Sequence, residues 1–259
     1  MAIDIDPDWW KTLFDEIYLI TDSRSIDDDE ITRQEIDIFS SLIPMQPGDC
    51  ILDLCGGHGR HAIELCRRGW RDCTVLDYSQ KLLDIGARNA LDKQYPIRFI
   101  QGDARQTLLP DEKFDHVLIL GNSLGYIMEP DADLRILKES QRLLKPRGWL
   151  LIDVSNGEAA QTKLRPQAWH EIGDDVVVCR QRELNGGRIF AREMVLSKAK
   201  GLIRDQTYGI QLYNADELAD LVIRAGYSDV RVHADMSAMN PTADVGCMNH
   251  RLVAVARRP

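Results

Sequence analysis

The chain has 259 residues, a formal charge of −9 and a hydrophobic share of 44%, enough for one α/β domain with an elaboration and a real core. The acidic balance argues against nucleic acid as a partner, because its recognition rests on a basic footprint. No window reaches the ~20 apolar residues of a membrane helix, and a start carrying Asp4, Asp6 and Asp8 is unlike a secretory leader, so a cytoplasmic protein without membrane contact is expected.

In chain order, Trp10, Leu13, Phe14 and Ile17 recur at helical spacing, and Tyr18 closes that stretch. A polar loop spans Thr21 to Glu30, in which Asp27, Asp28 and Asp29 read as solvated. Thr32 with Glu35 forms a capping box for a second helix, whose Ile36, Phe39 and Ile43 share a face and which ends at Pro44, Pro47 and Gly48. From Cys50 strands and helices alternate: a strand over Cys50–Leu54, a helix over His61–Arg68, a strand over Cys73–Leu76, a helix over Leu82–Leu91, strands over Ile97–Gln101 and His116–Leu120, a helix over Asp133–Leu144 and a strand over Trp149–Val154. This rhythm predicts a parallel sheet with helices on both faces. Residues 168–212 read instead as strands, Val176–Cys179, Ile189–Leu196 and Thr207–Leu212, with Asn185-Gly186-Gly187 as a hairpin turn. Asn214 caps a last helix carrying Leu218, Leu221 and Val222, and strands over Asp229–His233 and Leu252–Ala256 follow. The stretch Ala234 to Met248 between them is long for a hairpin connection.

Asp53-Leu54-Cys55-Gly56-Gly57-His58-Gly59-Arg60 lies directly after a strand and before a helix. Glycines there let the backbone approach a ligand, and the helix start offers unpaired N–H groups, so the turn suits an amino-acid carboxylate or a pyrophosphate. Asp77 ends the next strand, where an acid can accept both hydroxyls of a ribose. Gly102-Asp103-Ala104 ends the third strand, and Gly121-Asn122-Ser123-Leu124-Gly125-Tyr126 follows the fourth. All lie at carboxyl ends of successive strands, the ligand edge of an open α/β sheet.

Together with Leu143-Leu144-Lys145-Pro146-Arg147-Gly148 before the fifth strand, these motifs resemble those of class I S-adenosylmethionine-dependent methyltransferases, over about Cys50 to Val154. One position departs: the first loop glycine of that family is Cys55 here. The resemblance implies a Rossmann-like, seven-stranded, mostly parallel sheet with helices on both faces and a reversed seventh strand. It also implies a domain plan: an N-terminal helical lid over 1–45, a core over 46–154 and 214–259, and an antiparallel β-rich insertion over 155–213, both additions similar to those of the branch that methylates small metabolites. S-adenosylmethionine is the implied cofactor. Carried over by position, Gly57 faces its methionine moiety, Asp77 its ribose, Asp103 and Ala104 its adenine, and Asn122 lies near its sulfonium; Asp53, Gly56, Tyr78 and Gly102 complete the cofactor-binding set, and Tyr18 and Arg24 close the pocket, Arg24 by pairing with the cofactor carboxylate. Tyr126, His170 and Tyr213 are the candidate catalytic groups toward a small-molecule acceptor, with the chain acting as monomer or homodimer.

Two other readings are open. Gly57-His58-Gly59-Arg60-His61-Ala62 formally fits the G-x-G-x-x-A fingerprint of an NAD(P)-dependent oxidoreductase, but the acid before the loop and Gly102-Asp103-Ala104 have no part in that fold. A non-catalytic S-adenosylmethionine-binding protein would keep the same acids and glycines. Six cysteines without a C-x-x-C pair and six histidines without ligand spacing point to reduced, buried thiols and no metal site.

Overall fold

The computed structural model describes residues 3–22, 28–237 and 250–259. At its centre lies β1 (Cys50–Leu54), buried at every position because strands flank it on both sides and helices cover both faces. Successive residues point to opposite layers: Leu52 joins the core under α5 (Ala132–Leu143) and α7 (Ala215–Arg224), while Ile51 joins the core under α2 (Asp29–Leu42), α3 (Arg60–Arg67) and α4 (Gln80–Asp92). The period-2 split recurs at Val117 and Leu118, and again at Leu252 and Val253.

The remaining core strands are β2 (Asp72–Asp77), β3 (Arg98–Gln101), β4 (Phe114–Ile119), β5 (Leu144–Ser155), β10 (Ser228–Ser237) and β11 (His250–Arg257). The seven strands run in the order β10-β11-β5-β4-β1-β2-β3; β1 pairs parallel with β2 and β4, and β11 pairs antiparallel with β5. The expected sheet and its reversed seventh strand are therefore present. The order turns back between β1 and β4, the switch point outside which ligands settle.

After β5 come α6 (Gly157–Lys163), a helix the sequence patterns did not reveal, and a separate antiparallel sheet of β6 (Gln167–Ile172), β7 (Val176–Asn185), β8 (Arg188–Ser197) and β9 (Gly201–Gln211). Asn185 pairs with Arg188 across a two-residue turn in which Gly186 and Gly187 take φ of 56° and 75°, the hairpin geometry that needs glycine. Asn214 caps α7 in a full capping box with Glu217.

Two expectations near the N-terminus are corrected. The aromatic stretch is not one helix: a 3-10 turn at Trp9–Lys11 is separated from α1 (Glu16–Thr21) because the Asp15 carboxylate accepts from Ile17 N and Tyr18 N, starting a new helix there. The second helix starts earlier than the Thr32–Glu35 box implies. Asp28 caps it, accepting from Glu30 N at 2.8 Å and Ile31 N at 3.2 Å, with Asp29 and Glu30 in the first turn where the helix dipole favours acids. Glu35 is thereby freed for a different task.

Candidate functional site

β1 delivers Asp53 and then turns sharply, with Cys55, Gly57 and Gly59 all in the left-handed region at φ of 62°, 57° and 73°. A side chain rarely takes that conformation. Cys55 is held in it by its N–H, which donates to Leu76 O at 2.7 Å, and by Ser123 Oγ, which donates to its carbonyl at 3.3 Å. Burial pushes its thiol well above the ordinary range. A β-carbon on Gly56 would fall 2.6 Å from Cγ of Asp53, so only glycine there lets the acid lie beneath the turn.

Asp53 is 1% exposed, and among the described residues no side chain donates a hydrogen bond to either carboxylate oxygen. Burial is the main cause that pushes its carboxyl up to about 7; Arg60 and the Ala62 amide pull the other way and Asp77 adds repulsion. A buried carboxylate that lines a cleft and lacks a side-chain donor fits a ligand that brings a cation. Asp77 sits across the loop. Its oxygens accept from Gly57 N and Ser79 N, each at 2.8 Å, and burial raises its carboxyl against those amides. The amides fix its orientation and leave further lone pairs for a diol. Asp103 is gripped by Arg105 through several hydrogen bonds, 2.6 Å at the shortest; burial would raise it, but Arg105 holds it below its usual range.

The facing wall comes from the N-terminal segment. Ser79 Oγ donates to Phe14 O at 2.6 Å, Trp10 meets Tyr78 edge-on at 4.7 Å, and Phe14 stacks on Tyr126 at 5.5 Å and meets Tyr18 edge-on at 5.0 Å. Trp9 lies 5.6 Å from Tyr208 on β9. Asp15 pairs with Arg204, and Asp22 accepts from Arg180 at 3.2 Å. The segment is thus clamped between the parallel sheet's carboxyl edge and the antiparallel sheet. The enclosed cleft holds roughly 1050 Å³ of empty space, mouth included.

Tyr18, Asp53, Gly56, Gly57, Asp77, Tyr78, Gly102, Asp103 and Ala104 line this cleft, together with Tyr126. Asn122 does not: at φ of 64° its amide oxygen turns away to accept from Ser155 N at 2.8 Å, and the amide also hydrogen-bonds the Tyr126 phenol. Its place is that of a brace behind Tyr126. Tyr213 and His170 do not line the cleft either. The Tyr213 hydroxyl donates to the buried Asp133, which also accepts from Gly125 N, and His170 lies on the edge strand β6 opposite Val178. Arg24 lies outside the described residues.

Sequence patterns missed Phe14, Arg60 and Ser79 in the lining, and a buried charge network behind it. Glu35 accepts from Arg60, from His61 Nε2 at 2.9 Å and from Arg251; Arg251 in turn grips Asp153, whose Oδ2 accepts from Gly121 N at 3.1 Å. Burial would raise the Glu35 carboxyl, yet Arg60 and Arg251 hold it well below its usual range, and burial takes His61 down to about 4. The network ties α2, α3, β5 and β11 to the turn after β4. No local spacing signals it, because its members are brought together only by the tertiary fold.

A family model described as a methyltransferase domain matches residues 51–148. The putative methyltransferase YqeM of Bacillus subtilis is 26% identical over 197 residues, covering 74% of this chain and 79% of that protein. Other curated methyltransferases align over about half of their own length. Among solved structures, the CcbJ methyltransferase of Streptomyces caelestis superposes with a TM-score of 0.75 at 17% identity, covering 98% of this chain and 99% of that one. CalS10 of Micromonospora echinaspora, an amino pentose methyltransferase with S-adenosylmethionine bound, gives 0.66 at 16% identity over 96% and 99%. Neither comparison nor site geometry favours a nicotinamide enzyme. Residues 51–148 thus match a methyltransferase domain, and the chain shares the fold of solved S-adenosylmethionine-dependent methyltransferases over nearly its whole length.

Proposed function

We propose that the chain methylates a small molecule held between the carboxyl edge of the parallel sheet and the aromatic N-terminal segment. The observation that carries this is the closure of the cleft by Phe14 and Tyr18 against Tyr126, with Trp9 sealing toward Tyr208. A chamber so covered excludes water and admits a metabolite more readily than a macromolecular end. A solved structure of the same fold is that of an amino pentose methyltransferase.

S-adenosylmethionine supplies a methyl group already activated by its sulfonium. The chain's own residues then orient and desolvate. The Asp53 carboxylate, buried and without a side-chain donor among the described residues, pairs with the ammonium of the methionine moiety, and Gly56 and Gly57 let that moiety approach the backbone. Asp77 accepts from the ribose hydroxyls, Tyr78 flanks the ring, and Gly102, Asp103 and Ala104 border the adenine. Tyr126 faces the acceptor. Burial raises its phenol, as it raises those of Tyr18 and Tyr208, so these groups stay protonated near neutrality and position by donating hydrogen bonds. His170 and Tyr213, away from the cleft lining, take no catalytic part in this scheme. Residues 1–45 act as cover, 46–154 and 214–259 as core, and 155–213 as the insertion that anchors the cover. Free cysteines at positions 50, 55, 66, 73 and 179 support a reducing, cytoplasmic setting.

Calorimetry with S-adenosylhomocysteine and NADH separates the cofactor readings; binding of NADH alone would sink the proposal. Incubation with methyl-labelled S-adenosylmethionine and a cell extract, split into low-mass and macromolecular fractions, tests the acceptor class. Label is expected in the low-mass fraction.

A further inference from the structure

Arg60 opens α3 directly after Gly59, whose left-handed backbone turns the chain into the helix. Its side chain lines the cleft and is only 11% exposed. Nη1 is committed: it donates to Thr32 Oγ1 at 2.9 Å and to Glu35. Among the described residues, Nε and Nη2 make no hydrogen bond. Nη2 lies beside the turn after β4, 4.0 Å from where a β-carbon on Gly121 would stand, and Gly121 also lines the cleft. The guanidinium therefore sits at the switch point between β1 and β4, with one edge anchored and the other unclaimed.

We propose that Arg60 anchors the carboxylate of the methionine moiety, while Asp53 takes the ammonium of the same zwitterion; this rests on S-adenosylmethionine being the cofactor. Charge carries the argument. The described lining holds three aspartates, Asp53, Asp77 and Asp103, and a single Arg or Lys, which is Arg60. His61 shares the lining, but burial takes it down to about 4, so it is neutral near pH 7. Arg105 is spent on Asp103 and Glu129. A ligand carboxylate placed along this wall away from Arg60 meets other carboxylates, and like charges in a buried site repel strongly. Arg60 also acts on Asp53, pulling its carboxyl down against burial. The two charges of an α-amino acid thus find opposite charges in one corner of the cleft. Donor geometry agrees. With Nη1 held by Glu35 and Thr32, Nε and Nη2 remain as the parallel pair of donors that takes both oxygens of one carboxylate. A guanidinium already braced loses little freedom when it does so. The task that resemblance gives to Arg24, which lies outside the described residues, falls on this reading to Arg60.

Calorimetry on the full chain with S-adenosylhomocysteine and with its decarboxylated analogue, which keeps the adenosine, the sulfur and the ammonium, is the test. Wild type is expected to bind the analogue about tenfold more weakly or worse, the effect of losing a charge-assisted contact. In Arg60→Met, affinity for S-adenosylhomocysteine should fall by a similar factor. Affinity for the analogue should not weaken, since it loses no partner and a cation near its ammonium is gone. Far-ultraviolet dichroism checks the fold. A wild type that binds both compounds alike overturns the proposal, and so does a folded Arg60→Met that keeps the preference; loss of the preference in Arg24→Met would then hand the carboxylate to Arg24. Should Arg60→Met not fold, Arg60→Lys decides, because it leaves Glu35 a cation but offers no paired donors. A reduced preference there supports the proposal and a full one overturns it. Binding of neither compound by wild type would sink the cofactor reading and this proposal with it, whereas equal binding sinks the proposal alone.

Discussion

The parallel-sheet wall of the cleft meets its ligand with turns, amides and short carboxylates, whereas the opposite wall does so with aromatic rings and long ion-paired side chains. On the first wall Asp77 is fixed by amides of Gly57 and Ser79, residues close to it in the sheet edge. On the second, Asp15 reaches Arg204 and Thr12 reaches Gln206, partners almost two hundred positions away. The first wall is a property of strand ends and of the glycine turn that follows Asp53. The second exists only when the insertion is folded and the N-terminal segment is drawn onto it. On the function proposed, binding the cofactor and enclosing the acceptor fall to different walls, and substitutions should separate them.

The largest effect is expected behind the first wall. Arg251, Glu35 and Asp153 are all buried, and Arg251 is the shared cation of two carboxylates. Arg251→Ala leaves both acids without it in a place that water does not reach, a loss of roughly 3–5 kcal/mol. Chemical denaturation should show it as a lowered midpoint. A change below about 1 kcal/mol would mean that Arg60 and His61 alone satisfy Glu35. Asp77→Ala comes next. The fold should persist, but affinity for S-adenosylhomocysteine should weaken by about 1–3 kcal/mol as its charge-assisted bonds are lost. Unchanged affinity in the folded variant would remove Asp77 from the ribose.

The second wall answers differently. Phe14→Ala opens the chamber between Tyr18 and Tyr126 without touching Asp53 or Asp77. Cofactor affinity should stay within about twofold, while kcat/KM for the acceptor falls by about tenfold, ~1.4 kcal/mol of transition-state stabilisation. Equal loss in both would show that the walls act as one.

What the sequence revealed follows the same division. The loop from Asp53 to Arg60 and the acid at Asp77 were legible because glycines, strand ends and helix starts leave local signals. Asn214, Glu217 and the Gly186-Gly187 turn were legible for the same reason. The cap at Asp28 was hidden behind an equally good local pattern at Thr32, and what decided between them was the burial of Glu35 against Arg60 and Arg251. Asn122 was placed at the right strand end, yet its left-handed backbone turns the amide to Ser155, and no spacing encodes that. Tyr213 carried a plausible catalytic hydroxyl that tertiary structure commits to Asp133.

The smallest effect near neutrality belongs to Asp53, and it is a proton. Its folded carboxyl titrates at about 7, far above the 3.8 of an exposed aspartate, with burial as the main cause. The folded state therefore holds a proton that the unfolded state has released between about pH 4 and 7. Stability should fall as pH rises across that window and level off above it. Cofactor binding runs the other way. An ammonium set against Asp53 favours the ionised form, so binding at pH 7 should release part of a proton and affinity should grow with pH. From pH 8 to 7 the weakening is about twofold, and by pH 6 it reaches on the order of tenfold. Calorimetry in two buffers of different ionisation enthalpy reads the proton directly. Asp53→Asn should abolish the release and flatten the affinity profile while leaving Asp77 in place. A release that survives this substitution would assign the proton to another group, and Asp53 would then be a structural acid beneath the Gly56 turn and no ligand of the cofactor.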